Sequence, residues 1–254
     1  MRIILDMGYV ELHFHLLPGV DDGPASMDES IALARAAAAD GTDTVVTTPH
    51  VNRTCPTEVS TLPERVQEVA DRLRSARVPL RVVCGAELDP QMLERLSQRE
   101  LDLIAHGPPD RRWVLLEAPL SGLGSDFTVA ADELRARGFA AVIAHPERAL
   151  GAAPDAWQVL EHELAAGSAM QVNAWSVIGL YGDRVRFHAL HVLKTSAVVA
   201  LASDAHGEAR PPSLRLALEV LDAMRVRGAE SMMSTAPRAL LEGGVAIRHL
   251  AAAA

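Results

Sequence analysis

An apolar run that ends in two histidines, Glu11-Leu12-His13-Phe14-His15, is the most informative segment of the chain. Side chains alternate between the two faces of an extended strand, so His13 and His15 point the same way and can bind one metal ion. Five further segments repeat this pattern of an apolar run that closes on histidine or carboxylate. They end at His50, at Glu87, at Glu117, at His145 and at the pair Asp204 and His206. The sequence therefore predicts that six strand ends deliver metal ligands to one place.

Strand-like and helix-like segments alternate along the chain. Strands are predicted at residues 9–14, 44–48, 80–85, 113–117, 140–144, 169–173 and 197–203. Helices are predicted after Ser26 and Thr61, each with a capping-box Glu three positions later, and near residues 90–99, 126–137, 155–166, 183–194, 213–227 and 236–242. Such alternation indicates an α/β fold with a parallel sheet, which right-handed crossovers would close into a TIM-like (β/α)7 barrel. Barrels of this kind carry their catalytic groups at the carboxyl ends of the strands.

The joint occurrence of these residues favours a metal site over an ordinary core. Any single His or Glu in the set would be unremarkable as a satisfied core or surface residue. Together, however, they would leave unpaired buried charge at a cost of several kcal/mol each if no ion were present.

Composition is that of one globular domain, which we assign to residues 1–254 with 251–254 as a frayed tail. The chain has 254 residues, of which 49% are hydrophobic and 22% charged. Its net charge is −9 and its Lys and Arg are dispersed, which argues against a nucleic-acid partner or an anionic membrane. No apolar run approaches the roughly 18 residues of a membrane span, and the start lacks a signal-peptide pattern. We therefore expect a cytoplasmic protein without membrane insertion.

Reactive residues outside the strand ends give no competing site. Neither Cys55 nor Cys84 has an Arg six positions later, so the phosphate loop of cysteine-dependent phosphatases is missing from the sequence. Cys84 lies in an apolar strand and is expected in the core. His106, His162 and His249 are expected to be ordinary surface residues.

The motifs of this chain resemble those of the polymerase-and-histidinol-phosphatase (PHP) superfamily. They are the segment 11–23, Thr47-Thr48-Pro49-His50, Gly85-Ala86-Glu87, His145-Pro146-Glu147-Arg148 and Ser203-Asp204-Ala205-His206. The Leu-Pro-Gly-x-Asp-Asp-Gly part of 11–23 and the His-Pro-Glu-Arg motif resemble one branch, the CpsB/YwqE-type protein-tyrosine phosphatases of capsule and exopolysaccharide operons. The motifs cover nearly the whole chain in the order of that family.

The resemblance implies nine metal ligands shared among three ions. They are His13, His15 and Asp204 for the first ion, Glu117 and His145 for the second, Asp22, His50 and His206 for the third, and Glu87 as a bridge between the first two. Asp21, beside Asp22, is expected to have a role in the loop. Glu11 stands where the family usually has Asp. This difference is expected to affect a contact behind the metal ligands rather than a ligand itself.

The ligand types limit the metal and the chemistry. Imidazole and carboxylate without thiolate suit Mn²⁺, Fe²⁺ or Zn²⁺, and the resemblance favours Mn²⁺ or Fe. Four carboxylates do not neutralise three divalent ions, so the centre would attract an anion such as a phosphoester. We expect water activated by the metals to attack phosphorus in line, with Arg148 and Arg210 in bidentate contact with the phosphate.

Three hypotheses follow for the function. The leading one is a metal-dependent phosphatase that acts on phosphotyrosine in a protein partner, namely the tail of a bacterial tyrosine kinase. The second is a small-molecule phosphatase of the histidinol-phosphatase type on the same scaffold. The third is a non-catalytic metal-binding module, which the complete ligand set disfavours.

Overall fold

The computed structural model describes residues 7–194 and 198–246. The strands in these ranges are β1 (Tyr9–Phe14), β2 (Thr42–Thr47), β3 (His50–Val51), β4 (Arg81–Cys84), β5 (Glu87–Leu88), β6 (Trp113–Glu117), β7 (Ala140–Ala144), β8 (Ala169–Asn173) and β9 (Val198–Ala202). The α-helices are α1 (Met27–Asp40), α2 (Leu62–Ser75), α3 (Gln98–Ile104), α4 (Ser125–Ala136), α5 (Pro146–Ala149), α6 (Ala156–Ala165), α7 (Ala174–Ile178), α8 (Asp183–Val192), α9 (Leu214–Ala223) and α10 (Thr235–Gly243). Short 3₁₀ helices lie at Val59–Thr61 and Pro90–Arg95. The predicted frayed tail, 251–254, lies outside the described residues.

All strand pairs in the two sheets are parallel, which confirms the predicted parallel α/β architecture. One sheet has the order β1-β2-β4 and the other the order β3-β5-β6-β7-β8-β9. Neither β3 nor β5 was predicted from the sequence. Each continues a strand of the first sheet after a two-residue break, at Thr48-Pro49 and at Gly85-Ala86.

The first and last strands of the chain lie against each other at their carboxyl ends. Phe14 and Ala205 form an isolated parallel bridge just beyond β1 and β9. The backbone N–H of Asp204 donates to His13 O at 3.1 Å, and that of His15 donates to Ala205 O at 2.9 Å. These bonds bring His13, in β1, and His15, just after it, beside Asp204 and His206.

The helix predictions hold with three corrections. The predicted helix near 90–99 is wrong, because the 3₁₀ helix ends at Arg95 and Ser97 starts α3 with a capping box to Glu100. Thr61 precedes α2 but is not a side-chain cap, since its hydroxyl donates to Glu58 O. The short helices α5 and α7 were not predicted.

Helices cover one face of the sheets and a smaller apolar cluster covers the other. On this face, α2 buries Leu62, Val66, Val69 and Leu73. On the opposite face, alternate strand residues form a second cluster that includes Trp113, whose indole N–H donates to Leu240 O of α10. Burial on both faces is typical of parallel sheets. In the described part of the chain, no helix has the length and apolar character needed to span a membrane.

Candidate metal centre

The carboxyl ends of the strands bring together all nine side chains that the sequence singled out as metal ligands. They form four overlapping clusters whose potential ligand atoms lie within 4.8 Å of one another. The clusters are His13, His15 and Asp204; His13, Glu87 and His145; His50, Glu87 and Glu117; and His15, Asp22, His50 and His206. The site therefore lies where a parallel α/β fold carries its chemistry.

Glu87 is the buried hub of these clusters. Its Oε2 lies 3.1 Å from His13 Nε2 and 2.9 Å from His50 Nδ1. Its Oε1 lies 2.9 Å from His145 Nε2. Contacts on both carboxylate oxygens fit a residue that bridges ions.

The grouping differs in two respects from the one that the resemblance implies. Glu117 clusters with His50 and Glu87 rather than with His145. His15 lies between two groups, since it is near Asp204 and also belongs to the cluster of Asp22 and His206. The ligand atoms thus form a continuous array rather than three separate sets.

Hydrogen bonds fix three histidines so that their Nε2 atoms face the centre. His13 Nδ1 lies 3.0 Å from Gln171 Oε1, His15 Nδ1 lies 2.7 Å from Asp21 Oδ2, and His206 Nδ1 lies 2.8 Å from the carbonyl of Asp204. Nδ1–H of each imidazole donates to its acceptor, which leaves a lone pair on Nε2, and this is the arrangement of metal-binding histidines.

These tautomers give a test of whether the residues fit metal ions. His13 Nε2 and His15 Nε2 lie only 3.2 Å apart, with a lone pair on each in the tautomers just assigned. Asp204 Oδ1 lies 3.3 Å from the first nitrogen and 3.4 Å from the second. Ligands at about 2.1 Å from one ion are separated by roughly these distances. The three atoms are thus spaced like ligands of one ion, and beside them the buried Glu87 Oε2 has no hydrogen-bond partner among the described residues, so the residues fit divalent metal ions.

The electrostatics of the site favour positive charge. Burial lowers the pKa of His15, but Asp204, Asp21 and Glu87 outweigh burial and raise it well above its ordinary value. Burial alone would raise the pKa of Asp204, yet His13, His15 and Arg210 hold it well below its ordinary value. The carboxylates therefore attract a cation to this point.

For Glu117 and His145, by contrast, burial favours the neutral form of the side chain. Burial, with Glu87 nearby, raises the pKa of Glu117 to about 7. Burial also lowers the pKa of His145 to about 4, against the opposing effect of Glu87. Each side chain is thus disposed to be neutral in the absence of an ion, and His145 in its neutral form is a competent ligand.

Breaks in the backbone place the ligands. His145 and Asp204 adopt left-handed conformations, with φ of 35° and 53°, which cost free energy and occur most often at functional sites. The break before Glu87 requires Gly85, because a Cβ there would lie 2.7 Å from Val46 Cγ1. These departures from regular strand geometry turn the side chains toward one another.

Two residues that the sequence had already drawn attention to, Asp21 and Glu11, lie behind the candidate ligands. Asp21 was expected to have a loop role, and its carboxylate accepts from the backbone N–H of Gly23 and His50 as well as from His15. Glu11 is fully buried and accepts from the Ser203 backbone N–H at 2.8 Å, and burial raises its pKa to about 8.

Gln171 and Asn173 were not singled out, although their spacing at the end of β8 places both on one face. Asn173 Nδ2 donates to Asp204 Oδ2 at 2.9 Å, and Gln171 holds His13. The same alternation that identified His13 and His15 was the signal that could have found them.

Arg148 and Arg210 both lie beside the ligands. Each donates through Nη1 to Asp204 Oδ2, at 3.2 Å and 3.4 Å respectively. Both line a cavity of about 160 Å³, together with Asp22, His50, Glu87, Glu117, Leu120, His145 and Asp204. The cavity therefore joins a cluster of ligand-type side chains to two guanidinium groups.

Tyr181 supports both arginines and was also missed by the sequence analysis. The guanidinium carbon of Arg148 lies 4.5 Å from the centre of its ring, and its hydroxyl lies 3.5 Å from Arg210 Nη1. The ring of Trp175 lies behind it at 5.7 Å between centroids.

The expectations for the remaining reactive residues have mixed outcomes. Burial raises the pKa of the half-buried Cys84 thiol to about 11, so this residue is not disposed to act as a nucleophile. His162 is exposed as expected, and His249 lies outside the described residues. His106 is not a surface residue, because it is buried against the ring of Trp113.

The chain matches a model of the family described as capsular polysaccharide synthesis, CpsB/CapC, over residues 9–242. The tyrosine-protein phosphatase YwqE of Bacillus subtilis is 29% identical over 200 residues, which are 78% of this chain and 77% of that protein. The tyrosine-protein phosphatase CpsB of Streptococcus pneumoniae is 26% identical over 221 residues, 84% of this chain and 89% of that protein.

Solved structures agree with these relatives. A structure from a study of B. subtilis YwqE and S. pneumoniae CpsB, described as unique metal-dependent tyrosine phosphatases, superposes with a TM-score of 0.79 at 27% identity, over 94% of this chain and 97% of that one. The phosphotriesterase homology protein of Escherichia coli, with phosphate in its active site, has a TM-score of 0.58 at 13% identity over 90% and 96% of the two chains, a likeness of fold alone. The family model spans nearly all of the described residues, and the chain belongs to the CpsB/CapC family of capsular polysaccharide synthesis.

Proposed function

We propose that this chain is a metal-dependent phosphomonoesterase that hydrolyses phosphotyrosine in a protein substrate. The observation that carries the proposal is the convergence of nine ligand-type side chains on a small cavity that two arginines also line. Membership of the CpsB/CapC family and relatives named as tyrosine phosphatases support the same chemistry.

The nine residues named above would hold three divalent transition-metal ions. Imidazole and carboxylate ligands favour Mn²⁺ or Fe, and Zn²⁺ also fits this set. Ions bound there would lower the pKa of a water toward about 7 and neutralise charge on the phosphoryl oxygens. Gln171, Asp21 and the Asp204 carbonyl keep the imidazoles of His13, His15 and His206 in the tautomer that this requires.

Arg148 and Arg210 would bind the phosphoryl group. A guanidinium carries five N–H donors, so the bond of each arginine to Asp204 leaves others for phosphate oxygens. Both side chains line the cavity, and Tyr181 holds both from behind. The residues thus orient the phosphate against the centre before the reaction.

The size of the cavity favours a protein over a small metabolite. At about 160 Å³ it is below the roughly 300 Å³ at which cavities begin to enclose a whole small molecule. A phosphoryl group would be enclosed while the rest of the substrate stayed outside. The tyrosyl group also leaves as a phenolate, whose conjugate acid has a pKa of about 10, so it is a far better leaving group than an alkoxide.

We propose the tail of a bacterial tyrosine kinase, in the cytoplasm, as the protein substrate.

The scaffold of this site would be a single PHP-type domain in which β1 and β9 close a seven-stranded TIM-like barrel. The Phe14–Ala205 bridge and the backbone bonds around it support closure at the carboxyl end. Closure would hold the six ligand-bearing strand ends in one ring.

Kinetics on two substrates test the proposal. The protein, loaded with Mn²⁺, is assayed with a phosphotyrosine peptide and with histidinol phosphate, and kcat/KM is compared. The proposal expects the peptide to be preferred. A preference for histidinol phosphate of tenfold, about 1.4 kcal/mol of transition-state stabilisation, would make the small-molecule phosphatase the correct assignment.

A further inference from the structure

A groove lies between the first turns of α1 and the segment 207–212, outside the metal centre. Its volume is about 590 Å³. We infer that this groove, the α1 groove, binds the polypeptide that flanks the phosphotyrosine, with an apolar side chain inside and lysine or arginine at the rim. The inference rests on the proposed function and specifies how its protein substrate is recognised.

Two chain segments run from the metal centre to walls of the α1 groove. On one wall, Pro24 lines the groove two residues after Asp22, whose carboxylate lies 3.2 Å from His206 Nε2. On the other, the His206 backbone N–H donates to Arg210 O at 2.9 Å and closes a turn. Glu208 lines the groove from this turn, while Arg210 lines the cavity of the centre. A peptide whose phosphotyrosine enters the centre therefore has the groove beside it.

The interior of the groove suits an apolar side chain. Ala32 and Ala36 are exposed, one helical turn apart on α1, and the buried Leu33 contributes the base between them. Pro211 and Pro212 form the facing wall and offer no backbone N–H to a ligand. A wall of alanine and proline gives contact area without hydrogen-bond donors, which favours an apolar residue over a polar metabolite.

The charge at the rim selects a basic flank. Glu29 and Glu208 are both exposed, and among the described residues that line the groove none is basic. Glu29 Oε2 accepts from the Ala25 N–H at 2.9 Å, which fixes the carboxylate at the start of α1. The two arginines of the centre would take the phosphate, so the substrate site presents positive charge to the phosphotyrosine and negative charge to its neighbours.

Groove-filling variants test this assignment. Ala36→Trp fills the α1 groove from an exposed position, and Ala39→Trp adds the same side chain to the same helix at an exposed position that does not line it. The probes are a phosphotyrosine peptide with apolar and basic flanks, a charge-reversed peptide with acidic flanks, and para-nitrophenyl phosphate. Ala36→Trp should lower kcat/KM for the basic peptide about tenfold, the factor of one lost apolar contact, and leave para-nitrophenyl phosphate unchanged.

A charge variant tests the rim without changing the shape of the groove. The double substitution Glu29→Gln and Glu208→Gln should reduce the preference for the basic over the acidic peptide roughly three- to tenfold, with a smaller effect at high salt.

Equal kinetics of wild type and Ala36→Trp on the basic peptide would overturn the inference, as would an equal loss in Ala39→Trp. Loss of a concentration-dependent dimer in Ala36→Trp, with unchanged peptide kinetics, would assign the groove to a second copy instead. Absence of hydrolysis of every phosphotyrosine peptide by the wild type would overturn the proposed function itself.

Discussion

Substitution of Tyr181 separates two contacts that hold the arginines we propose as phosphate ligands. Its hydroxyl lies 3.5 Å from Arg210 Nη1, and its ring lies 4.5 Å from the guanidinium carbon of Arg148. Tyr181→Phe removes only the hydroxyl, whereas Tyr181→Ala removes both contacts. Tyr181→Phe therefore reports on Arg210 alone, and the difference between the two variants reports on Arg148.

The distances give the expected magnitudes. A hydrogen bond at the outer limit of its range contributes about 0.5 kcal/mol, so Tyr181→Phe should lower kcat/KM roughly twofold. A partly desolvated cation–π contact contributes about 1 to 2 kcal/mol, so Tyr181→Ala should cost roughly 2 kcal/mol in all, about thirtyfold in kcat/KM. In the proposed function the arginines would contact the substrate phosphate before the reaction as well as in the transition state, so much of the loss should be in KM.

The assay is steady-state hydrolysis of a phosphotyrosine peptide, with metal content and thermal unfolding measured for each variant. Leu180→Ala, at the exposed neighbouring side chain, is the control. A double-mutant cycle with Arg148→Ala makes the test specific, since the cost of Tyr181→Ala should fall to a few-fold when Arg148 is absent. An undiminished cost in that background, or a Phe variant as impaired as the Ala variant, would refute the role of the ring.

Two further predictions concern metal chemistry and pH. Chelation or His50→Ala should reduce phosphatase activity by roughly hundredfold or more, because loss of a metal ligand should cost more activity than loss of a residue that supports one. Cys55→Ser and Cys84→Ser should remain active. Loss of activity in either serine variant at unchanged metal content would contradict the mechanism. Burial, with Arg112 nearby, lowers the pKa of His106 to about 4. Between about pH 6.5 and 4 this residue therefore binds more protons in the unfolded chain than in the folded one, and the stability of the fold decreases as pH falls through this range. Between pH 7.5 and 5, His106 alone should lower the free energy of unfolding by about 2 kcal/mol. Measured by denaturant unfolding, the wild type should therefore lose about 2 kcal/mol more of this free energy than His106→Asn over the same pH range. Equal losses in the two proteins would contradict the assignment.

The sequence predicted strands best where the local pattern determines burial. The strands 9–14, 113–117, 140–144 and 169–173 have the predicted bounds because each is a short apolar run between polar or turn residues. Where the chain changes direction within a strand, periodicity gives no warning. β5 is separated from β4 at Gly85, where close packing against Val46 leaves no room for a side chain, and this tertiary contact has no signature in the local pattern.

Some failures had a local signal and others had none. The wrong helix near 90–99 is one of the former, because Ser97 and Glu100 form a capping box that the sequence already contains. Burial of His106 against Trp113 depends on a bridge between these residues in the folded chain, and an isolated histidine gives no sign of it. The ligand types were apparent in the sequence, whereas their grouping depended on the distances between strand ends.

The supports of the site were the least predictable part. Tyr181 lies in a turn between Gly179 and Gly182, both at positive φ, and contacts both arginines across the fold. Such a residue has no motif of its own. Its role depends on where two other side chains are placed.

The most direct test of the metal centre is a titration of the metal-free protein with Mn²⁺, in which bound metal and phosphotyrosine-peptide hydrolysis are measured in the same samples. The account predicts no activity without metal and a rise that saturates near three ions per chain, since nine candidate ligands form one continuous array. Full activity in protein from which metal has been removed, or saturation at a single ion, would contradict it.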